Sequence, residues 1–363
     1  PDGSRKSMTV PGVGTFRYVY EFTTGSSPMR VSGLRVRVVC PWSPHPNIDC
    51  NYDQAGRLRR ETNGGVRTDY DYYPRGVLSR QVSYYGLGVL ASAFAQFDAG
   101  NQPSLPGIFY DALANRTGMY VTVPPSGYAL GIAGRVDYLF DARDRLSRET
   151  FVLADNSLWY DDQYSYDDAD NATAIHGQTF THNANNQVTG AAFQYDGNGN
   201  ATLFRALALG FDAENRIVRL PDLYRGGNNV ITAGFRPDGM QAWRQDAGGR
   251  VYFLYDGTRL VAEYSATNGS LLQHFAYSAE GLNQRRGNQH RLFTFDPDGN
   301  LVHRLTAGSV SPLSITWHNR TGVVYQDQLA STGGLVDVPN AGTVGYQGYW
   351  GVYSEASTRT MGQ

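Results

Sequence analysis

Charged residues are few in this 363-residue chain, and neither sign of charge is in large excess. Asp, Glu, Lys and Arg together make up 18% of the residues, the formal net charge is −2, and the isoelectric point is near 6.4. Proteins that bind nucleic acids or anionic membranes need a concentrated basic surface. The composition therefore argues against both classes of partner.

Long hydrophobic runs are also missing. The longest weakly polar stretch extends from about Tyr85 to Phe97 and is interrupted by Gly86 and Gly88. A membrane-spanning helix needs about 20 consecutive apolar residues. The sequence therefore predicts no membrane span.

The chain lacks the motifs of catalytic sites. It contains no Gly-x-Ser-x-Gly elbow, no phosphate-binding loop and no dinucleotide fingerprint. Its seven histidines, His176 and His182 among them, are dispersed and show no zinc-site spacing. We expect no enzymatic activity and no cofactor.

One acidic cluster imitates a calcium site. Asp196, Asn198 and Asn200 match the start of an EF-hand loop, but Ala201 and Leu207 stand where that loop needs Gly and Glu. Turn formation accounts for these oxygen atoms without a metal, so we expect none.

Only two cysteines occur, Cys40 and Cys50, on either side of a proline-rich loop. A disulfide across this loop suits an exported protein and would stabilise the fold by roughly 2–3 kcal/mol. Two free thiols are the alternative, and the spacing leaves both open.

The residues that are abundant favour strands and tight turns. The chain has 25 Tyr, 16 Phe and 42 Gly, and no segment has the apolar spacing of an amphipathic helix. An all-β fold is therefore predicted.

A short pattern recurs along the chain: an aromatic residue, Asp, two free residues, Gly, and then Asn or Arg. We interpret it as a hairpin corner in which the aromatic residue ends a strand, the Asp carboxylate accepts backbone N–H groups, and Gly takes the left-handed conformation. One hairpin is too small to be stable alone, so copies are expected to stack. The pattern is clearest at Asp53 with Gly56, Asp196 with Gly199, and Asp296 with Gly299, and further copies begin at Phe97, Tyr110, Phe140, Tyr166, His182, Phe211 and Tyr255.

Several copies lack Gly at the left-handed position. They carry Ala114, Asp144, Asp170 or Glu214 there, and Asn186 occupies it in the copy at His182. Asn and Asp tolerate this conformation moderately well, whereas Ala and Glu are strained in it or adopt another turn.

These corners resemble the YD-repeat family, also called the RHS-repeat family. Phe235-Arg236-Pro237-Asp238-Gly239-Met240 is similar to the late part of that family's repeat core, and residues 327–332 are similar to its Asp-x-Leu-Gly-Ser element. The resemblance implies hairpins stacked into a curling β-sheet solenoid or hollow shell. It divides the chain into irregular N-terminal strands with a Pro-rich loop (1–50), a repeat array (51–230) and the C-terminal part of the core (231–363).

Family members form shells around a toxin or partner polypeptide, and some cleave themselves in a segment after the core. We expect both ends of this chain to be cut and that segment to be missing, so no catalytic residue is carried over. The resemblance implies a non-enzymatic structural protein of the cell surface or extracellular space. A filament subunit that assembles by strand-edge addition, through copies of itself or a larger parent chain, and a carbohydrate-binding module are the alternatives.

Asn-x-Ser/Thr sequons are candidate glycosylation sites in an exported protein. Three coincide with the repeat corner, and all are expected to be exposed turn sites. They lie at Asn115, Asn171, Asn200, Asn268 and Asn319.

Overall fold

The computed structural model describes residues 5–22, 31–41, 47–85, 88–124, 132–175, 177–204, 207–221, 229–278, 282–287, 290–297, 301–306, 316–318 and 324–326. These residues form β-strands and no helix, which confirms the predicted all-β class. None of them belongs to a helix that could cross a bilayer.

The strands up to residue 166 are β1 (Ser7–Val10), β2 (Gly14–Phe22), β3 (Val31–Val39), β4 (Ile48–Tyr52), β5 (Leu58–Asn63), β6 (Val66–Tyr72), β7 (Leu78–Tyr85), β8 (Val89–Gln96), β9 (Leu105–Pro106), β10 (Ile108–Tyr110), β11 (Arg116–Val123), β12 (Ile132–Phe140), β13 (Leu146–Leu153) and β14 (Leu158–Tyr166). The later strands are β15 (Ala172–Ile175), β16 (Gln178–Thr179), β17 (Phe193–Tyr195), β18 (Ala201–Phe204), β19 (Leu207–Ala208), β20 (Gly210–Phe211), β21 (Ile217–Pro221), β22 (Val230–Phe235), β23 (Gln241–Asp246), β24 (Gly249–Asp256), β25 (Arg259–Ser265), β26 (Leu271–Tyr277), β27 (Leu282–Arg286), β28 (His290–Phe295), β29 (Leu301–Thr306), β30 (Thr316–His318) and β31 (Val324–Gln326).

The chain forms two compact units. Unit 1 comprises Pro1–Tyr138, Thr150–Tyr160 and Phe275–Gln363, and unit 2 comprises Leu139–Glu149 and Asp161–His274. These bounds differ from the sequence division at residues 50 and 230, because residues 51–138 belong to unit 1 and residues 161–230 to unit 2.

In unit 1, strands β1 to β8 each pair antiparallel with the next strand along the chain. The described part of the first 50 residues supplies β1, β2, β3 and most of β4 to this series, and the pairing of β2 with β3 contains two register shifts. Val38 in β3 lies opposite Ile48 in β4, and both side chains are buried.

Late residues of unit 1 pack on early ones. Val66 and Leu292 form a buried cluster with Tyr85, and the Gln81 side chain donates from Nε2 to the carbonyl of Phe295, 214 residues away. Strands β27, β28 and β29 pair with one another in sequence order. This unit therefore depends on contacts between distant parts of the chain.

A row of polar side chains lies inside unit 1. The strand register places Cys50, Glu61, Thr68, Ser83 and Ser92 opposite one another on consecutive strands, hence on one face. All five are buried, and the Thr68 and Ser83 hydroxyls are 3.0 Å apart. Strand alternation alone would predict an apolar buried face. The buried face of these strands instead includes this polar row.

Unit 2 contains a sparse part and a packed part. Strands β15 to β21 have only two to five residues each. Strands β22 to β25 have six to eight residues and contain buried side chains such as Ala233, Phe253 and Ala262.

Candidate functional site: the stacked hairpin corners

The Asp53 corner shows how the repeated pattern folds. The Asp53 carbonyl accepts the N–H of Gly56 at 3.0 Å, and the Asp53 N–H donates to the carbonyl of Arg57 at 2.9 Å. This is a three-residue hairpin loop built from a type I turn and a left-handed residue. Counted from Asp53 as position 1, Gly56 occupies position 4 and has φ +78°.

The carboxylate of position 1 organises the turn. Asp53 Oδ1 accepts the N–H groups of Ala55 and Arg57, each at 2.9 Å, and Oδ2 accepts the Arg57 Nε at 2.7 Å. The predicted role of the Asp is therefore confirmed, and position 5 adds a side-chain donor. Corners with both backbone hydrogen bonds begin at Asp53, Tyr73, Asp98, Asp111, Asp141, Leu153, Asp167, Asn183, Asp196, Asp212 and Arg236.

The left-handed residue lies three positions after the first in every one of these corners. Gly199, Asp144, Asp170 and Asn186 have positive φ, as the sequence predicted, and Ala114 takes the left-handed conformation rather than another turn. At the corner after Phe211 the prediction of Glu214 is wrong.

In the corner after Phe211 the residue with positive φ is Asn215, at 62°. In the corner after Phe97 it is Asn101 rather than Gly100. In both corners the left-handed residue is the third residue after the Asp.

Three corners form with neither Asp nor Asn at position 1. Tyr73, Leu153 and Arg236 begin them, and in the last two the carboxylate lies at position 3 instead. Asp155 accepts the N–H of Ser157 at 2.9 Å, and Asp238 accepts that of Met240 at 3.1 Å. A search for Asp after an aromatic residue misses the corners at Tyr73 and Leu153.

Two predicted corners have other outcomes. Tyr255-Asp256-Gly257 is a tighter hairpin, because Asp256 lies directly opposite Arg259 with two residues between them. Phe295, before Asp296, pairs with Leu301 across a register shift, as Tyr52 pairs with Leu58. Gly299 lies outside the described residues.

Ala114 offers a direct test of the left-handed position. It has φ +69°, a conformation that disfavours a Cβ atom. We expect Ala114→Gly to raise the free energy of unfolding by about 1 kcal/mol, because the strain of the Cβ exceeds the added flexibility of glycine. Gly56→Ala is the matched reverse change, and we expect it to lower stability by about as much. Urea unfolding of the three proteins measures both shifts, and equal midpoints would exclude the strain argument.

Aromatic residues before the corners connect one corner with another. The hydroxyl of Tyr72 donates to the Leu58 carbonyl at 2.9 Å, that of Tyr166 to Leu146 at 2.9 Å, and that of Tyr195 to Val188 at 3.1 Å. Each acceptor directly follows the preceding corner of the stack. The aromatic position therefore has a hydrogen-bonding role beside its packing role.

Arg at position 5 reaches forward to the next corner. Arg57, Arg145 and Arg216 donate from Nη1 to the carbonyl of the residue that begins it, at 3.2–3.3 Å. Their guanidinium groups also lie 4.5–4.9 Å from the centres of the rings before those corners. Each Arg thus holds its own Asp and the following repeat.

Asn at position 5 makes a different forward link. Asn171 donates from Nδ2 to Oδ1 of Asn186 at 3.0 Å, and Asn200 does so to Asn215 at 2.8 Å. In unit 2 the corners at 141, 167, 183, 196, 212 and 236 are consequently joined in one series, which we call the corner ladder.

Hydrogen bonding also sets the acid response of the corners. The backbone N–H of Arg57 lowers the pKa of Asp53, and the side-chain amide of Asn200 lowers the pKa of Asp196. A carboxylate whose folded-state pKa lies below its unfolded value of about 3.9 stabilises the fold above that pH. Its contribution disappears as the pH falls through the lowered value.

We therefore expect the urea midpoint to be constant from about pH 7 to pH 5 and to fall below about pH 4. The triple variant Asp167→Asn, Asp196→Asn, Asp212→Asn should lose stability at neutral pH and show a shallower acid decline, since fewer lowered carboxyl groups titrate. An acid decline as steep as that of the unmodified chain would contradict this assignment.

The corner sequons are not exposed in the way predicted. Asn115, Asn171 and Asn200 occupy position 5, and their Nδ2 atoms donate to the Oδ2 of the corner Asp at 2.9–3.1 Å. Nδ2 is the atom that a glycan would modify, so the folded corner competes with modification. Asn268 is exposed in the turn between β25 and β26, and Asn319 lies outside the described residues.

Cys40 and Cys50 are thiols that form no disulfide, and both are buried. Arg37 lies opposite Asp49 and Val38 opposite Ile48, so the register separates the two cysteines by four residues along the strands. That corresponds to about 13 Å, beyond the reach of a disulfide, which needs Cα atoms within about 7 Å. Of the two predicted alternatives, the structure contains the thiols and not the disulfide, and burial raises the pKa of Cys40 to about 12.

A carbohydrate-binding module could use exposed tryptophan rings to stack on sugars, but two tryptophans are engaged in packing. The Trp243 indole lies over Gly234 and under the Arg250 guanidinium, 4.2 Å from the ring centre. Trp159 packs on Phe151. Within the described residues no group of His, Cys, Asp and Glu could hold a metal ion, and His176 lies outside them.

No protein-family model and no curated protein matches the chain. Among solved structures it is similar to the Photorhabdus luminescens Tc holotoxin pore with a mutated TccC3, at 14% identity and TM-score 0.47 over 86% of this chain and 17% of that one. A crystal structure of TcdB2-TccC3-Cdc42 matches at 14% identity and TM-score 0.40 over 87% and 17% of the two chains. A porin-like protein from Bacteroides uniformis matches at 14% identity and TM-score 0.21 over 71% and 96%. The chain thus spans 17% of the length of the two toxin-complex chains.

Proposed function

We propose that this chain is a non-enzymatic structural protein of the cell surface or extracellular space, in which the corners build a YD-repeat β-shell. The corner ladder carries the proposal. It joins consecutive hairpins by side-chain hydrogen bonds at one end of each strand pair. Such links stabilise a continuous wall and have no evident part in catalysis.

The use of polar residues in the corners supports the same proposal. Carboxylates at position 1 accept backbone and side-chain donors, as Asp53 and Asp196 do. The pKa values of Asp53 and Asp196 are lowered by these same hydrogen bonds, so ionisation of each carboxylate is linked to the folding of its corner. The partners of such a wall would be copies of the chain, a larger parent chain or an enclosed polypeptide.

Electron microscopy of the purified chain tests this proposal. We expect discrete hollow particles of uniform size. Long regular fibres would instead support a filament subunit, formed when an unpaired strand edge adds another chain.

The strand β1 allows the two assemblies to be separated. It is the first strand of its sheet and pairs with β2 alone among the described strands. Thr9→Pro would block addition to this edge, so fibres built through it should disappear whereas shell particles should persist. Binding on a glycan array would support the carbohydrate-binding alternative, which the packing of Trp159 and Trp243 does not favour.

A further inference from the structure

One stretch of unit 2 has no buried core of its own. Among its described residues, 161–175, 177–204 and 207–221, no side chain is buried. We call these residues the thin panel. By contrast, the following strands contain Val251, Phe253 and Glu263, which are buried. Local stability is lowest where few apolar contacts are buried.

The corner ladder supplies much of the order in the thin panel. Four of its corners, at Asp167, Asn183, Asp196 and Asp212, lie inside the panel. Phe193 and Phe204 add one aromatic contact, with ring centres 5.4 Å apart. The polar corners therefore stabilise the panel, whereas buried side chains stabilise the neighbouring strands.

The links make the corners dependent on one another. Asn171 of one corner donates to Asn186 of the next, and Asn200 donates to Asn215. A corner that opens withdraws a partner from its neighbour, so loss of one corner weakens the series.

We propose that the thin panel, which we call the gate, opens as one cooperative unit while β22–β25 and strands β1–β8 of unit 1 stay folded. The hydrogen bonds of the corner ladder keep the panel folded. The burial contrast and the hydrogen bonds lie within one chain, so the same opening is expected in a shell and in a filament subunit.

Hydrogen–deuterium exchange of the full chain at pH 7, read by mass spectrometry, tests the gate. We expect peptides from the thin panel to exchange about tenfold faster or more than peptides from β6–β8 and β24–β25, and at one common rate. Equal protection of the panel and these strands would overturn the proposal. Protection that rises with protein concentration would also overturn it, because a second copy would then cover the panel.

Two adjacent residues provide a matched pair of variants. Asp167 accepts the N–H groups of Ala169 and Asn171 at 2.9 Å. The Asp168 side chain is fully exposed and lies 3.7 Å from the Arg143 guanidinium, a contact that contributes little at the surface. Asp167→Ala should accelerate exchange throughout the panel, including residues 207–221, and leave β24–β25 unchanged. Asp168→Ala should change neither.

Asn200→Ala serves as a milder second variant, since it removes only side-chain links. Faster exchange confined to residues 196–204 in this variant would show independent corners and contradict a cooperative gate. Faster exchange of the whole chain would show that the panel does not open separately, which also contradicts it.

Discussion

Replacing Gly107 with alanine should abolish stable folding of unit 1. A Cβ atom at this position would lie 2.3 Å from the Cα of Ala95 and 2.6 Å from its backbone N and C atoms. No side-chain movement relieves an overlap with backbone. The segment cannot shift easily either, because Gly107 donates its N–H to Ser79 at 2.9 Å and accepts the N–H of Tyr120 at 2.8 Å.

The expected loss exceeds about 4 kcal/mol, the range in which overpacking of a rigid site is among the few adequate causes. Soluble yield and the urea midpoint measure it. Gly197→Ala is the control, since nothing lies within 4 Å of a Cβ there, and its effect should stay within about 0.5 kcal/mol. An unchanged midpoint for Gly107→Ala would show that Gly107 does not lie against the Ala95 backbone as described.

The corners could be predicted from sequence because their interactions are local. Asp53 meets its hydrogen-bond donors within four residues, so a single repeat contains the cause of its own shape. The wrong assignment of Glu214 is explained by the same local geometry, because the fixed distance from the Asp determines which residue becomes left-handed.

The aromatic-Asp pattern does not identify corners that begin with another residue. The backbone at Tyr73 and Leu153 forms the same hydrogen bonds with different side chains, and Asp155 assists from position 3. A search by backbone requirement, for Gly or Asn followed by a return strand, would have found both.

Long-range features could not be predicted from any local pattern. The close approach of Gly107 to Ala95 and the contact of Val66 with Leu292 arise only when distant strands are placed. The same is true of the cysteines, whose spacing suggested a disulfide until the strand register separated them. The forward links of Arg57 and Asn171 also follow from stacking rather than from either corner alone.

Replacing Phe151 with alanine should cost unit 1 about 3–5 kcal/mol. Phe151 in β13 is only 2% exposed. Its ring meets Trp159 edge to face with centres 4.9 Å apart, and it stacks on Tyr160 at 5.8 Å. Its far edge covers Gly134, where a Cβ would lie 3.0 Å from the Phe151 Cζ.

The size of the loss depends on how far these neighbours can collapse into the space left by the ring. Gly134 cannot move into this space, because its backbone is held by pairing in β12. It is also close to the next strand, since a Cβ at Gly134 would lie 2.3 Å from the Val152 carbonyl oxygen. A cavity therefore persists, which places the loss toward the upper part of the range. Phe151→Leu should lose less because it refills part of the volume, and Leu158→Ala, at a side chain 61% exposed, should be close to neutral. Urea unfolding followed by far-ultraviolet circular dichroism compares the three. Similar midpoints for Phe151→Ala and Leu158→Ala would mean that the Phe151 ring is not enclosed. That result would contradict the packing of Phe151 against Trp159.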